Sequence, residues 1–399
     1  MKNILVVSEF FAKGGLETSL LGQVEVLSEM GFRLHLATSS SASTVAQGAF
    51  ASCTFDVPMG RNRSAREIFS AVEQLRAIVN AERIDVVHAH PFLSMIIAGC
   101  VAKVERLPLV LTLHGPASVA YFQPDTIASL MMSSSILPNA SAVIAVSEET
   151  RLLCRTVTAR DVLVLPNSVT CGPEKAPPAC LNLPWMWAGR MDNDKVNGLR
   201  HLIEFVASNG RIRLDIFGTG PARSTVEQHI AELGASQQMI ALKEWQDDLP
   251  SLMLEYGVVA GMGRVMLEGA LANRACLLVG YDGVKGFLTE ESARRASFWN
   301  LSGRGLRNIG ISELAGEVEA VRANQDKYLI YDWVHRDRNA RHIWLDYTRM
   351  LTNLAPFCDE RIEIFLEILN YAGDEPQDFW SSHPCFQILR ASFSALDLG

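Results

Sequence analysis

The 399 residues exceed what one hydrophobic core supports, and 48% hydrophobic with 20% charged residues fits two folded domains of soluble composition, neither disordered nor fibrous. A net charge of −8 gives no broad basic footprint, which argues against nucleic acid as a partner. No run reaches the roughly 18 uncharged apolar residues of a membrane helix, "MKNILVVSEFFAKGG" meets charge and glycine too early for a signal peptide, and the eight cysteines are too scattered for a disulfide framework or zinc site. A cytoplasmic protein with reduced thiols is expected.

In chain order, "NILVVS" is an apolar run of strand length, followed by glycine and by "ETSLLGQVEVLSEMG", whose apolar residues recur at helical spacing and stop at Gly31. The alternation continues through "RLHLATS", a helical "AREIFSAVEQLRAIVNAER", then "IDVVHAH", "LPLVLTLHG", "ASAVIAVS" and "VLVLP". Strands apolar on both sides belong in a parallel sheet covered by helices on both faces. The Pro-rich stretch 170–184 supports neither helix interior nor central strand and reads as a linker. Alternation restarts with "PWMWAGR", "GLRHLIEFVASNG", "IRLDIFGTG", "STVEQHIAELG", "MIALKEW" and "AGMGRVMLEGALANRACLLVG". The expected architecture is α/β: two Rossmann-like, doubly wound parallel-sheet domains, 1–169 and 185–325, with an interdomain cleft. Beyond them, 326–399 reads as helices, including "HIWLDYTRML", and a tail of thirty residues with no assigned place.

Functional side chains of parallel sheets gather at the carboxyl ends of strands. Gly14 and Gly15, after the first strand, let backbone approach an anion at a helix start, although a plain tight turn fits equally and the G-x-G-x-x-G fingerprint is absent. His88, His90 and His114 also terminate strands, and Gly115–Pro116 makes His114 the best placed. His88 reads more as a hydrogen-bonded core histidine, and His90 is balanced between core and site.

Arg190 and Lys195 share one short loop after a strand, where two cations suit a diphosphate and the negative charge developing on a leaving nucleotide. Asp192 and Asp194 in the same loop mimic a D-x-D metal pair or make it a charge-balanced, solvated turn. Gly218 and Gly220 mark a sharp turn, and Trp245 reads as packing. Glu268 sits in an otherwise buried helical run after Gly261 and Gly263, and a buried carboxylate needs donors. A ribose diol supplies two; the competing explanation is an i, i+4 pair with Arg264, in the less favourable order.

Taken together, "GGLET", "DVVHAH", "LTLHG", "AVIAVSEE", "VLPNSV", "GRMDNDK", "FGTGP" and "LEGALANRACLLVG" resemble the family 4 glycosyltransferases, from residue 1 to about 325. That resemblance implies the GT-B fold and transfer of a sugar, with retention and without a metal or other cofactor, from a nucleotide-diphosphate sugar to an acceptor hydroxyl. It implies that Gly14 and Gly15 lie by the donor phosphate and the acceptor, His114 by the donor sugar, Arg190 and Lys195 on the diphosphate and Glu268 on the ribose. Gly218, Gly263 and Arg264 belong to the donor side, His90 to the acceptor side, and the helix "HIWLDYTRML" crosses back to the first domain. The family commonly shows a second glutamate with seven residues between it and Glu268, and that position is Ala260 here.

Domain closure is then expected to bring the anomeric carbon to His114. The acceptor is a saccharide or a lipid-linked one, as in cell-surface polysaccharide or glycolipid synthesis. A weak peripheral contact with the inner membrane face through Arg61, Arg63 and Arg66 competes with a solvated helix start. Two other functions fit the same motifs: a non-catalytic GT-B nucleotide-binding or partner subunit, and a nucleotide-sugar 2-epimerase.

Overall fold

The computed structural model describes residues 2–11, 14–120, 126–172, 174–234, 238–246, 248–372, 378–382 and 385–396. Pro173 of the Pro-rich stretch and positions 373–377, 383–384 and 397–399 of the tail lie outside the described residues. The chain divides into a first unit, Met1–Pro166 with Ile343–Gly399, and a second, Asn167–His342.

The first unit is built on seven parallel strands: β1 (Asn3–Ser8), β2 (Arg33–Thr38), β3 (Ser52–Thr54), β4 (Val86–Ala89), β5 (Leu109–Leu113), β6 (Ala142–Ala145) and β7 (Val162–Val164). Their order is β3-β2-β1-β4-β5-β6-β7. β1, β4 and β5 are buried along nearly their whole length because helices cover both faces. The helix Ala65–Glu82 starts in a capping box between Ser64 and Glu67, which satisfies first-turn donors from the local sequence alone. The tail joins this core: Phe379, Trp380, Leu389 and Phe393 are all buried in it, and the ring of Trp380 stacks at 6.0 Å on Phe365 of the helix Arg361–Tyr371.

The second unit holds β8 (Trp185–Ala188), β9 (Leu214–Phe217), β10 (Ile240–Lys243), β11 (Val258–Gly261), β12 (Ala275–Val279) and β13 (Val284–Phe287), in the order β10-β9-β8-β11-β12-β13. This sheet is not wholly parallel as expected, since β13 runs antiparallel to β12. The four residues between them are too few for a crossover and suffice for a hairpin. The outer edge of β13 is closed: the Phe287 N–H donates to Glu317 Oε2 at 2.8 Å, and the Ile309 N–H to the Val284 carbonyl at 2.8 Å.

Domain boundaries differ from those suggested by composition. The stretch 170–184 belongs to the second unit, its carbonyls serving as acceptors: Ala176 takes Asn273 Nδ2 at 2.8 Å, Pro177 takes Arg274 Nη1 at 2.9 Å and Ala179 takes Gln325 Nε2 at 2.8 Å. Proline-rich backbone lacks donors, so it is held by its carbonyls. The second boundary falls between His342 and Ile343, inside the helix Ala340–Met350.

In both sheets the strand order reverses beside the first strand, between β1 and β4 and between β8 and β11. Loops leaving the carboxyl ends of such a pair diverge and open a crevice, which places a candidate site in each unit.

Candidate functional sites at the two switch points

At the switch point of the first unit, β4, the residues just after β4 and β5, and the helix Ala340–Met350 bring four rings into a row. His90 extends the ladder through its N–H to the Val7 carbonyl at 2.8 Å, and its Nδ1 lies 2.8 Å from His114 Nε2. Ring centroids are 5.1 Å apart for His90 and His114, 4.5 Å for His88 and His90, and 5.3 Å for His88 and Tyr347. His88 is fully buried and its ring nitrogens are partnered: Nε2 with Thr112 Oγ1 at 2.7 Å, Nδ1 with Tyr347 Oη at 3.0 Å and Gln23 Nε2 at 3.2 Å. It is the hydrogen-bonded core histidine. His114 keeps part of its surface exposed, and its N–H donates to Ser118 Oγ at 3.0 Å.

Burial sets the protonation of the row. It pushes His88 down to about 3 and His114 to about 4, and it holds His90 well below its ordinary value, with the neighbouring imidazoles adding to the effect. At neutral pH these rings are uncharged hydrogen-bonding groups and not cations. An unfolded histidine takes its proton near pH 6.5, so between there and about pH 4 the unfolded chain binds protons that these folded rings refuse. Their contribution to stability is therefore present above pH 6.5 and lost as the pH falls, by about 1.4 kcal/mol per pH unit for fully buried His88. In an NMR titration, the ring signals of His88 and His114 are expected to stay flat from pH 8 to pH 5; a midpoint near 6.5 for either would contradict this assignment.

Glu9, only 2% exposed, follows β1 directly. Its Oε2 accepts the N–H groups of Leu93 at 2.9 Å and Phe92 at 3.2 Å, ahead of the helix Ser94–Val104. Burial pushes its carboxyl up, opposed by those two N–H groups and by Arg61. Gly14 is the N-cap of the helix Gly15–Glu29 and uses no side-chain cap; an added Cβ at Gly15 meets nothing within 4 Å. The first-turn N–H groups there have no intrahelical acceptor. Of the basic cluster, Arg63 is paired with Glu67 at 2.8 Å and Arg61 acts on Glu9, so neither stands as an uncommitted cation.

At the switch point of the second unit, the loop after β8 carries Arg190 and Lys195. Both reach Asp192: Arg190 Nη2 donates to Oδ1 at 3.0 Å and Lys195 Nζ to Oδ2 at 2.7 Å. Burial alone would push this carboxyl up, but the bonds from Lys195 and Arg190 prevail and hold it below the usual carboxylate range. Asp192 thus stays ionised, facing two cations. Asp192 offsets one of the two cations, which leaves one net positive charge on these three side chains.

Glycines let the neighbouring loop press against this one. A Cβ on Gly218 would lie 2.4 Å from the Gly189 carbonyl, and one on Gly220, at φ +147°, 2.5 Å from the Met191 carbonyl. Two backbone bonds of 2.9 Å, Met191 N–H to the Thr219 carbonyl and Ala222 N–H to the Met191 carbonyl, lock the contact.

The loop after β11 is two residues long. Gly263, at φ +62°, donates its N–H to the Leu301 carbonyl at 2.8 Å and precedes the helix Arg264–Leu271. Glu268 has a side chain only 12% exposed, and its Oε1 accepts Arg264 Nε at 2.7 Å. Burial pushes its carboxyl up and Arg264 opposes the shift. The i, i+4 pair therefore forms despite its less favourable order, because Arg264 is also held by the Ser168 carbonyl, 2.8 Å from its Nη1. Ala260 is not on a loop: it is a fully buried residue of β11, paired with Leu277 and Trp187, so a glutamate there would lie within the sheet. Trp245 packs against the core, as expected from composition.

The sequence did not disclose the partners that orient these residues. Glu9 was legible in principle, as a carboxylate at the end of a strand; Tyr347, Thr112 and Gln23 lie far from His88 along the chain and carried no signal.

The two successive Rossmann-like units define a GT-B fold. Solved structures share it: Anabaena HepE in complex with UDP and glucose (TM-score 0.69, 17% identity, 89% of this chain and 100% of that one), sucrose-phosphate synthase from Thermosynechococcus elongatus (0.64, 16%, 88% and 98%) and the lipopolysaccharide outer core galactosyltransferase WaaB in its apo form (0.61, 16%, 88% and 99%). At such identities the likeness establishes the fold. Residues 13–172, which hold the first-unit motifs from "GGLET" to "VLPNSV", match the family model described as Glycosyltransferase Family 4. No curated protein sequence matches the chain.

Proposed function

We propose that this protein is a retaining glycosyltransferase that moves a sugar from a nucleotide-diphosphate sugar to the hydroxyl of a saccharide or lipid-linked acceptor. The observation that carries the reading is the placement of the motif residues: His90 and His114 at one switch point, Arg190, Lys195 and Glu268 at the other. HepE, which shares the fold, is seen with UDP and with UDP-glucose, and this supports a nucleotide-sugar donor.

In this reading Arg190 and Lys195 hold the diphosphate and stabilise its charge as the glycosidic bond breaks. The acceptor oxygen attacks the anomeric carbon on the face that the diphosphate leaves, and its proton passes to the departing phosphate. Neutral His114 donates or accepts a hydrogen bond at the sugar, and Glu268 takes the ribose hydroxyls. No metal takes part: the cations do its work, and Asp192, the first member of the D-x-D lookalike, already faces two positive charges. Among the described residues no helix is long and apolar enough to cross a membrane.

A thermal-shift panel of UDP, GDP, ADP and their sugars tests the donor class. One nucleotide diphosphate is expected to raise the melting temperature selectively, and the absence of any shift would sink the proposal. Ala260 favours a second reading, a nucleotide-binding subunit without transfer, because the sugar-side carboxylate common in the family has no counterpart there. Release of free nucleoside diphosphate only when acceptor is added separates the two, and also excludes an epimerase.

A further inference from the structure

The cation loop contains something that diphosphate binding does not require. A carboxylate already sits between the two cations, with one oxygen on each. It is anchored: Met191, just before it, is fully buried and bonded on both sides to the 219–222 turn, and the Asp192 carbonyl accepts the Lys195 N–H at 2.9 Å. The Asp192 side chain is 20% exposed on a short stem, while Lys195, at 27%, and Arg190, at 55%, end long flexible stems. The cations can turn outward to a ligand; the carboxylate stays.

We infer that Asp192 is an intramolecular counter-anion that competes with the diphosphate for Arg190 and Lys195 and so promotes release of the nucleoside diphosphate product. The inference rests on the diphosphate reading of this loop. An arriving diphosphate must draw both cations away from Asp192 or share them with it, and its own charge then lies beside a fixed negative one. As the product leaves, the carboxylate recaptures both head groups at the high effective concentration of a group on the same loop. Affinity for the product is thereby held down, and turnover gains where product release limits the rate.

The test is calorimetric titration of the full chain with inorganic pyrophosphate and with UDP, for the wild type and for Asp192→Asn and Asp192→Ala. Both variants are expected to bind both probes about tenfold tighter, the direction set by removal of one negative charge beside the ligand. Under steady-state turnover, kcat and KM should then fall together. Unchanged or weaker binding in both variants overturns the inference and makes Asp192 a residue that orients the cations. Failure of the underlying reading looks different: Lys195→Ala would then leave pyrophosphate and UDP affinity unaltered. Absence of binding of either probe to the wild type and both variants overturns both.

Discussion

Lys195→Ala is expected to lower acceptor-dependent release of nucleoside diphosphate by roughly 10²- to 10³-fold, the range seen when one preorganised donor to developing negative charge is removed. Lys195 stands at the start of the helix Val196–Asn209 with its ammonium 2.7 Å from Asp192. Its removal leaves Asp192 with Arg190 alone, so the pair carries no net positive charge to meet a leaving diphosphate. Stability should change little, because a partly exposed ion pair contributes only about 0–1 kcal/mol. Lys195→Arg retains the charge and should recover part of the rate. Full turnover by Lys195→Ala would remove the electrostatic mechanism altogether.

The second large effect concerns folding. Trp380 is 2% exposed, stacks on Phe365 at 6.0 Å and meets Phe379 edge-on at 6.2 Å, within the core of the first unit. Trp380→Ala should destabilise that unit by about 3–5 kcal/mol, through lost apolar burial and an uncollapsed cavity. Trp380→Phe should cost much less, because the indole N–H has no partner among the described residues and phenylalanine leaves no such donor buried. Urea unfolding followed by two probes measures both; equal stability of Trp380→Ala and wild type would mean that the tail does not complete this core.

Much of the fold was legible because parallel strands buried on both faces leave continuous apolar runs, and the helices between them keep their periodicity. β3 was missed: three partly buried residues at the sheet edge give no such run. β13 escaped for a related reason, as "VKGF" is short and Lys285 and Gly286 interrupt its apolar run. In the sites, the positions of His90, His114 and Arg190 at strand ends, and of Lys195 in the loop that follows β8, could be read from flanking glycine, proline and strand patterns. The Arg264–Glu268 pair was also visible in the spacing; helix peptides rank that order by local geometry alone, whereas here Ser168 holds the guanidinium in place.

The sequence by itself determined the order of the elements, the two-domain α/β class, the family resemblance and the strand-end placement of the candidate residues, all of them consequences of local patterning. Only the tertiary structure decided what those residues touch. His88 is tied to Tyr347, 259 positions away, Ala260 is sealed inside β11, and Asp192 is fixed between its cations by a turn 27 to 30 residues further on. Such contacts arise from packing between segments distant in sequence, and periodicity and propensity carry no record of which partner a buried polar group will find.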